Sequence, residues 1–320
     1  MSGPSAELDA VCRAMRAETL VAVAVHENPD SDAVGAAVGM IDLFEQMGAS
    51  GRIHVSPAVP LPIAEAFIGA DYVSHELPPP EATLYAIDCG SFARLALPIE
   101  TWDGTIVNID HHHDNTLFGT LDLVRAEASS ASEIVCDIGD LLGLAPRPWA
   151  ANALYAGISF DTGHFRHQNT TAHALECAAR LVRAGADPWR IYQLLYETRT
   201  LPTLRLWGRA LTRLLVVRRG LALISILDAD DYRETGADHN ETEGIVDFLR
   251  SIHGVAVAAL VKQQGETAAT RTSMRSCGLD VSEIAALRGG GGHRQAAGFT
   301  AADPPMEVAT WLSTELEKRL

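Results

Sequence analysis

The sequence predicts an α/β protein: a mostly parallel sheet with helices on both faces, followed by a smaller α/β domain. Three observations carry that prediction. Short apolar runs alternate with helix-length segments through the first 187 residues, the pattern of strand–helix–strand units. Several of those runs end on Asp or turn into His, and the C-terminal mouth of a parallel sheet is where such a fold gathers ligands. Past Gly185-Ala186-Asp187-Pro188 the pattern changes to short strands, hairpin turns and a glycine run.

The elements follow in order. Thr19 to His26 reads as a buried strand. Ala33 to Met47 reads as a helix that Gly48 stops. Arg52–Val55, Thr83–Asp88 and Thr105–Asp110 read as further strands, the last two ending on an acid. Ser129 or Ser130 caps a helix to about Leu142, and helices follow over Trp149–Ile158 and Ala172–Ala184. Trp189–Tyr196 and Pro202–Leu214 read as connecting helices. Leu215–Val217 and Leu221–Leu227 form a hairpin around Arg218-Arg219-Gly220. A helix over Glu241–Ile252, strands over Val255–Lys262 and Thr267–Met274, and an amphipathic helix over Met306–Leu320 complete the chain. The expected division is a larger domain over 1–187, a helical linker over 188–213 and a smaller domain over 214–320.

Composition narrows the function classes. A chain of 320 residues, 47% hydrophobic and of mean hydropathy +0.06, has the balance of a soluble globular protein. The longest early apolar run, Leu20–Val25, is far too short to span a bilayer, so no membrane association is expected. No basic start precedes an apolar stretch at the N-terminus, which favours a cytoplasmic protein. The five cysteines are scattered, with no Cys-x-x-Cys pair, so neither a disulfide framework nor a zinc ribbon is expected. Net charge is −16, and residues 1–185 carry 24 acids against nine arginines and no lysine. Such a surface does not attract long nucleic acid by counterion release. A short or small phosphorylated substrate held by a few local arginines fits better.

Four blocks in the first half bring together metal-seeking side chains. In His26-Glu27-Asn28-Pro29-Asp30-Ser31-Asp32, a turn after the strand lets His26, Asp30 and Asp32 point inward; the bland alternative is a helix N-cap. Asp88 ends an apolar strand before Cys89-Gly90. Asp110-His111-His112-His113 is more specific, since three consecutive imidazoles are hard to explain by packing. Adjacent side chains diverge in a loop, so one imidazole binds metal while the next faces substrate, and Asp110 orients a histidine from behind. Asp161-Thr162-Gly163 is followed by His164-Phe165-Arg166-His167, which adds basic groups, Arg166 among them, that a simple cap does not require. Mixed imidazole and carboxylate ligation suits Mn²⁺ better than Mg²⁺, with Co²⁺ or Zn²⁺ as alternatives.

Gly289-Gly290-Gly291-Gly292-His293-Arg294 is the second signal. Successive glycines let backbone N–H groups turn around an anion, and His293 adds a donor there. Upstream, Arg271, Ser273 and Arg275 alternate along a strand and share one face, where they clamp phosphate. Substrate contact is therefore expected from Arg271, Ser273, Arg275, Gly290, Gly291, Gly292, His293 and Arg166. The bland alternative is a flexible loop with solvent-facing arginines.

Taken together, these blocks resemble the DHH phosphoesterase superfamily with its C-terminal DHH-associated domain, over nearly the whole chain. Within it, Ser273-Met274-Arg275-Ser276 and Gly289-Gly290-Gly291-Gly292-His293 most resemble the bifunctional oligoribonuclease/pAp phosphatase group. The resemblance implies two divalent ions. One takes His26, Asp30 and Asp88; the other takes Asp32, Asp88, His111 and Asp161, with Asp88 bridging. It leaves His112 for substrate contact or proton donation, and makes Asp88, Asp110 and His112 the catalytic set. Because His113 exceeds the motif, a register with His112 as ligand stays open. Ser31 departs from the glycine often found between the two aspartates. The implied activity is hydrolysis of short oligoribonucleotides or dinucleotides such as pApA, with cyclic di-AMP in range, to mononucleotides, and of pAp to AMP, by a homodimer. The rivals are a non-catalytic nucleotide sensor, a RecJ-like single-strand exonuclease and an inorganic pyrophosphatase. The last has a lysine-rich C-terminal domain, whereas this chain holds only Lys262 and Lys318.

Overall fold

The computed structural model describes residues 5–59, 72–197, 199–264 and 269–320. Its contacts divide into two compact units, Met1–Leu195 and Tyr196–Leu320.

In the first unit six strands form one sheet: β1 (Leu20–Ala24), β2 (Ser50–His54), β3 (Val73–Ser74), β4 (Thr83–Ile87), β5 (Ile106–Asp110) and β6 (Leu121–Val124). Their order is β3-β2-β1-β4-β5-β6, and every neighbouring pair is parallel. The chain turns one way from β1 to β2 and returns on its other side at β4. That reversal opens a crevice beyond the C-terminal ends of β1 and β4.

Among the described residues, six helices belong to this unit: α1 (Ala6–Met15), α2 (Ser31–Gln46), α3 (Ala131–Leu142), α4 (Pro148–Asp161), α5 (Ala172–Arg183) and α6 (Pro188–Tyr196). Helix α2 is buried from Ser31 to Phe44, because the sheet lies on one side and α4 on the other. Its small residues make that possible: a Cβ on Gly35 would sit 2.3 Å from the Ala153 carbonyl oxygen. Val21, Val23, Tyr85, Ile87, Val107 and Ile109 pack on the helix side, while Ala22, Ala24, Leu84 and Ala86 meet Leu95, Leu97, Trp102 and Phe118 on the other. Burying each large side chain of this set contributes roughly 2 kcal/mol.

In the second unit β7 (Leu214–Val217), β8 (Ala222–Leu227), β9 (Val257–Gln263), β10 (Thr270–Ser276), β11 (Gly291–His293) and β12 (Ala296–Ala301) form a mixed sheet in the order β11-β12-β10-β9-β8-β7. Only β8 and β9 are parallel among these pairs. One face packs on α10 (Val281–Ala286) and α11 (Pro305–Arg319); the other packs on α7 (Leu201–Thr212), α8 (Ala229–Thr235) and α9 (Ile245–Arg250).

Several elements differ from the sequence reading. The helix predicted over Glu241–Ile252 runs only over Ile245–Arg250, since Gly244 sits at φ +83 and breaks it, and Glu241 is occupied in bonds from Thr200, Thr203 and the Asp238 N–H. The strand predicted to end on Asp88 ends on Ile87, because Asp88 turns into the left-handed region. The first two residues of the strand predicted over Thr267–Met274 lie outside the described residues. The sequence reading does not include β3, β6, β11, β12, α1, α8 or α10.

Candidate metal centre

Asp30 caps α2, its Oδ1 accepting from the N–H groups of Asp32 and Ala33 at 2.9 and 3.1 Å. Asp32, in the first turn of α2, is fully buried. Its two oxygens accept from the first N–H groups of α3, at Ala131 (2.6 Å) and Ser132 (2.9 Å). Gly157 of α4 leaves room for this arrangement, since a Cβ there would lie 2.7 Å from Asp32 Oδ1. His26 follows β1 and pairs with Leu95 in an isolated bridge. Asp88 follows β4 at φ +55, a conformation that Asp and Asn tolerate better than most residues. Its N–H still donates to the Ile109 carbonyl of β5, so the turn is fixed to the sheet.

These elements converge. His111 Nε2 lies 3.1 Å from Asp161 Oδ2, 3.4 Å from Asp88 Oδ1 and 3.9 Å from Asp32 Oδ2. His26 Nε2 lies 3.7 Å from Asp88 Oδ2. Three overlapping groups have donor atoms within 4.8 Å of one another: His26, Asp30 and Asp88; Asp32, His111 and Asp161; Asp88, His111 and His112. His113 is exposed and belongs to none of them.

Asp110 stands behind this cluster. Its Oδ1 accepts from the His111 N–H and lies 2.8 Å from His112 Nδ1, while Oδ2 accepts from Asn115 Nδ2 at 2.6 Å. Both oxygens are thus taken up in orienting neighbours. With Asp110 ionised, Nδ1 of His112 carries the shared proton and Nε2 is the nitrogen left to act. The hydrogen bond to Asp110 raises the His112 pKa against burial, and the bonds from His112 and Asn115 lower that of Asp110 although its burial works the other way.

The electrostatics ask for cations. Burial and the neighbouring Asp88 and Asp161 carboxylates push Asp32 well above the usual carboxylate range, and push Asp30 up as well. Burial opposes charge on His111, but Asp161, Asp88 and Asp32 outweigh it and push its pKa up to about 11. Asp88 Oδ1 and His26 Nδ1 are buried without a hydrogen-bond partner among the described residues. Four converging carboxylates, two imidazoles and an unpartnered buried carboxylate oxygen fit divalent cations held by O and N donors.

Several contributors carry no sequence signal that would single them out. Ala131 and Ser132 act through backbone N–H groups. Asn115 acts through a bond to a residue five positions earlier, and Asn169 donates to the Asp161 and Ser129 carbonyls. Gly163, His164 and Phe165 all sit at positive φ, a strained turn directly after Asp161. Arg166 is exposed, with Nε donating to the Gly163 carbonyl at 2.8 Å.

In the second unit, β10 buries Thr270, Thr272, Met274 and Ser276 and presents Arg271, Ser273 and Arg275 on its other face. Arg275 Nε lies 3.0 Å from Asp247 Oδ1. The glycine run is less open than a loop. Gly291–His293 pairs with β12, and the Gly290 N–H donates to the Ala285 carbonyl rather than standing free. The reason is steric: a Cβ on Gly290 would lie 2.2 Å from the Gly298 carbonyl oxygen, and one on Gly292 2.5 Å from that of Ala296. As the edge strand of its sheet, β11 keeps one row of backbone groups outside the ladder.

Comparison with known proteins follows the same two units. Residues 20–158 match the DHH family, N-terminal domain, and residues 221–316 match the DHHA1 domain. The chain is 32% identical over 283 residues to the bifunctional oligoribonuclease and PAP phosphatase NrnA of Thermus thermophilus, covering 87% of this chain and 83% of that protein. It is 27% identical over 276 residues to the Bacillus subtilis protein of the same name, covering 85% and 86%. A crystal structure of an exopolyphosphatase-related protein from Bacteroides fragilis shares the fold with a TM-score of 0.85 at 23% identity, over 98% of this chain and 96% of that one.

Proposed function

Because the chain belongs to the DHH family and carries the DHHA1 domain, we propose that it is a metal-dependent phosphoesterase that cleaves short oligoribonucleotides such as pApA to mononucleotides and converts pAp to AMP. One observation carries this reading: Asp88, buried with an unpartnered oxygen, belongs both to the His26–Asp30 group and to the His111 group. An acid shared between two donor groups is what a two-ion site needs. His26, Asp30 and Asp88 would hold one ion and Asp32, Asp88, His111 and Asp161 the other, with Mn²⁺ the expected metal. Bound there, the pair would activate water and neutralise charge on the phosphorus being attacked.

The chain's own residues do the rest. Asp30 and Asp32 are locked by backbone N–H groups, so the donor set does not have to reorganise. His111 is read as the ligand, because its Nε2 faces three carboxylates. His112 is read as the proton donor: Asp110 holds its Nδ1, and Nε2 delivers a proton to the leaving oxygen. Within the second unit, Arg271, Ser273, Arg275, His293 and the free edge of β11 offer donors to phosphate. Arg166, anchored on Gly163, is a further phosphate contact. Asp110 takes no part as a ligand; it positions His112. The relatives at 32% and 27% identity are named oligoribonuclease and PAP phosphatase, which supports nucleotides and short RNA as the preferred substrates. Exposed Trp189 and Leu194 on α6 suit a homodimer contact, which sedimentation of the purified protein tests.

The deciding experiment is hydrolysis of pApA beside pAp with Mn²⁺ and after chelation. Mn²⁺-dependent release of AMP from either supports the reading, and the ratio of rates ranks the substrates. Tight nucleotide binding with no release from either favours a sensor instead.

A further inference from the structure

Helices α3 and α5 place a second donor cluster away from the DHH site. His173 and Cys177 are one turn apart on α5, so both face the same neighbour. That neighbour is α3, which offers Asp137. His173 Nε2 lies 2.7 Å from Asp137 Oδ1 and 3.6 Å from Cys177 Sγ, and the donor atoms of these three residues all lie within 4.8 Å of one another. We propose that Asp137, His173 and Cys177 form a site for a thiolate-binding divalent cation of the zinc class, with water in the fourth position, and that the ion staples α3 to α5.

The spacing suits such an ion. Zn–N and Zn–O bonds of ~2.0 Å and a Zn–S bond of ~2.3 Å put tetrahedral N and S donors about 3.5 Å apart and N and O donors about 3.3 Å apart. The N···S pair is already at 3.6 Å; the N···O pair needs to widen by about half an ångström. Two arginines hold the ligands from behind without occupying the centre. Arg125 pairs with Asp137 Oδ2, leaving Oδ1 toward His173, and Arg180 Nη2 lies 3.1 Å from Cys177 Sγ. Each guanidinium is also balanced by an acid outside the cluster, Glu127 for Arg125 and Asp140 for Arg180. Access runs past His173, whose side chain is 41% exposed.

The site would act on the catalytic centre through α3. The first N–H groups of this helix hold Asp32, so fixing α3 at Asp137 fixes that carboxylate.

Cobalt substitution tests this, because the DHH donors contain no sulfur. The full-length protein, reduced and stripped by a chelator, is titrated with Co²⁺. A thiolate-to-cobalt charge-transfer absorption should appear, bleach when Zn²⁺ is added, persist in Asp88→Asn and vanish in Cys177→Ser. In His173→Ala, whose half-exposed position leaves the fold intact, bound Zn²⁺ should fall by one equivalent per chain. A folded wild-type protein without that absorption, or an absorption unchanged in Cys177→Ser, overturns the proposal.

Discussion

At the mouth of the first unit's sheet, Asp30, Asp32 and Asp110 are each tied to backbone N–H groups, and Asp88 is held by its own turn. On β10 of the second unit, Arg271 is exposed and Arg275 is partly exposed, and Arg275 pairs with the exposed Asp247. Both regions collect charge, but by opposite means. The first pays heavily in desolvation and like-charge crowding to hold carboxylates where only cations relieve them. The second keeps its cations hydrated and adjustable. A centre that performs chemistry needs fixed donors, whereas a surface that grips phosphates of varied substrates gains from side chains that can move. The largest effects on turnover should therefore come from the first region, and the second should act on KM.

Asp88→Asn is the severest break. Asn keeps the left-handed turn but removes the shared charge. Turnover of pApA with Mn²⁺ should fall by about 10³-fold or more, the scale of losing a central electrostatic group. The metal-free variant should melt no lower than the metal-free wild type, because the crowded acids lose one repulsion. A clear drop in Tm by calorimetry would instead mean that Asp88 is chiefly structural. His112→Ala comes next. Loss of a proton donor should lower kcat by about 10²-fold with KM little changed. An equal loss in Asp110→Asn would tie the effect to orientation of His112.

The difference between the two regions also explains what the sequence made legible. Each of the six metal-seeking residues lies at a strand end, in the turn beyond one or at a helix end, so local pattern was enough to find it. Asp-His-His-His stood out because packing does not call for three imidazoles. What stayed hidden acts through backbone or across long separations: the α3 N–H groups reach Asp32 from 99 and 100 positions away, and Gly157 matters only because Asp32 and Ser132 lie against it. The glycine run shows the same limit. Its residues suggest backbone N–H groups turned around an anion, but not that Gly290 and Gly292 must also be small because β12 lies within 2.5 Å of where their Cβ atoms would be. The cluster on α3 and α5 was invisible because Asp137 lies 36 positions before His173 and the group holds no Cys-x-x-Cys pair.

Arg271→Ala sharpens the comparison from the other side. Arg271 is exposed on β10 opposite Lys262, and its loss should raise KM for pApA by about tenfold while kcat stays nearly constant, as expected when one charged hydrogen bond to a bound phosphate goes. A fall in kcat at constant KM would place Arg271 in the chemistry and erase the division between regions.

Asp247→Ala should give the smallest effect and the opposite sign. Arg275 Nε is engaged by Asp247 at 3.0 Å, and the two side chains are 37% and 59% exposed. An ion pair that open is worth about 0–1 kcal/mol, so removing the acid costs the fold little. It also frees a guanidinium and removes a negative charge from the face where phosphate is expected. KM for pApA should fall by about twofold, with kcat and Tm unchanged, and the effect should fade as salt screens the exposed charges. A variant with weaker binding would mean that Asp247 holds Arg275 in its working position, and that the second region is as fixed as the first.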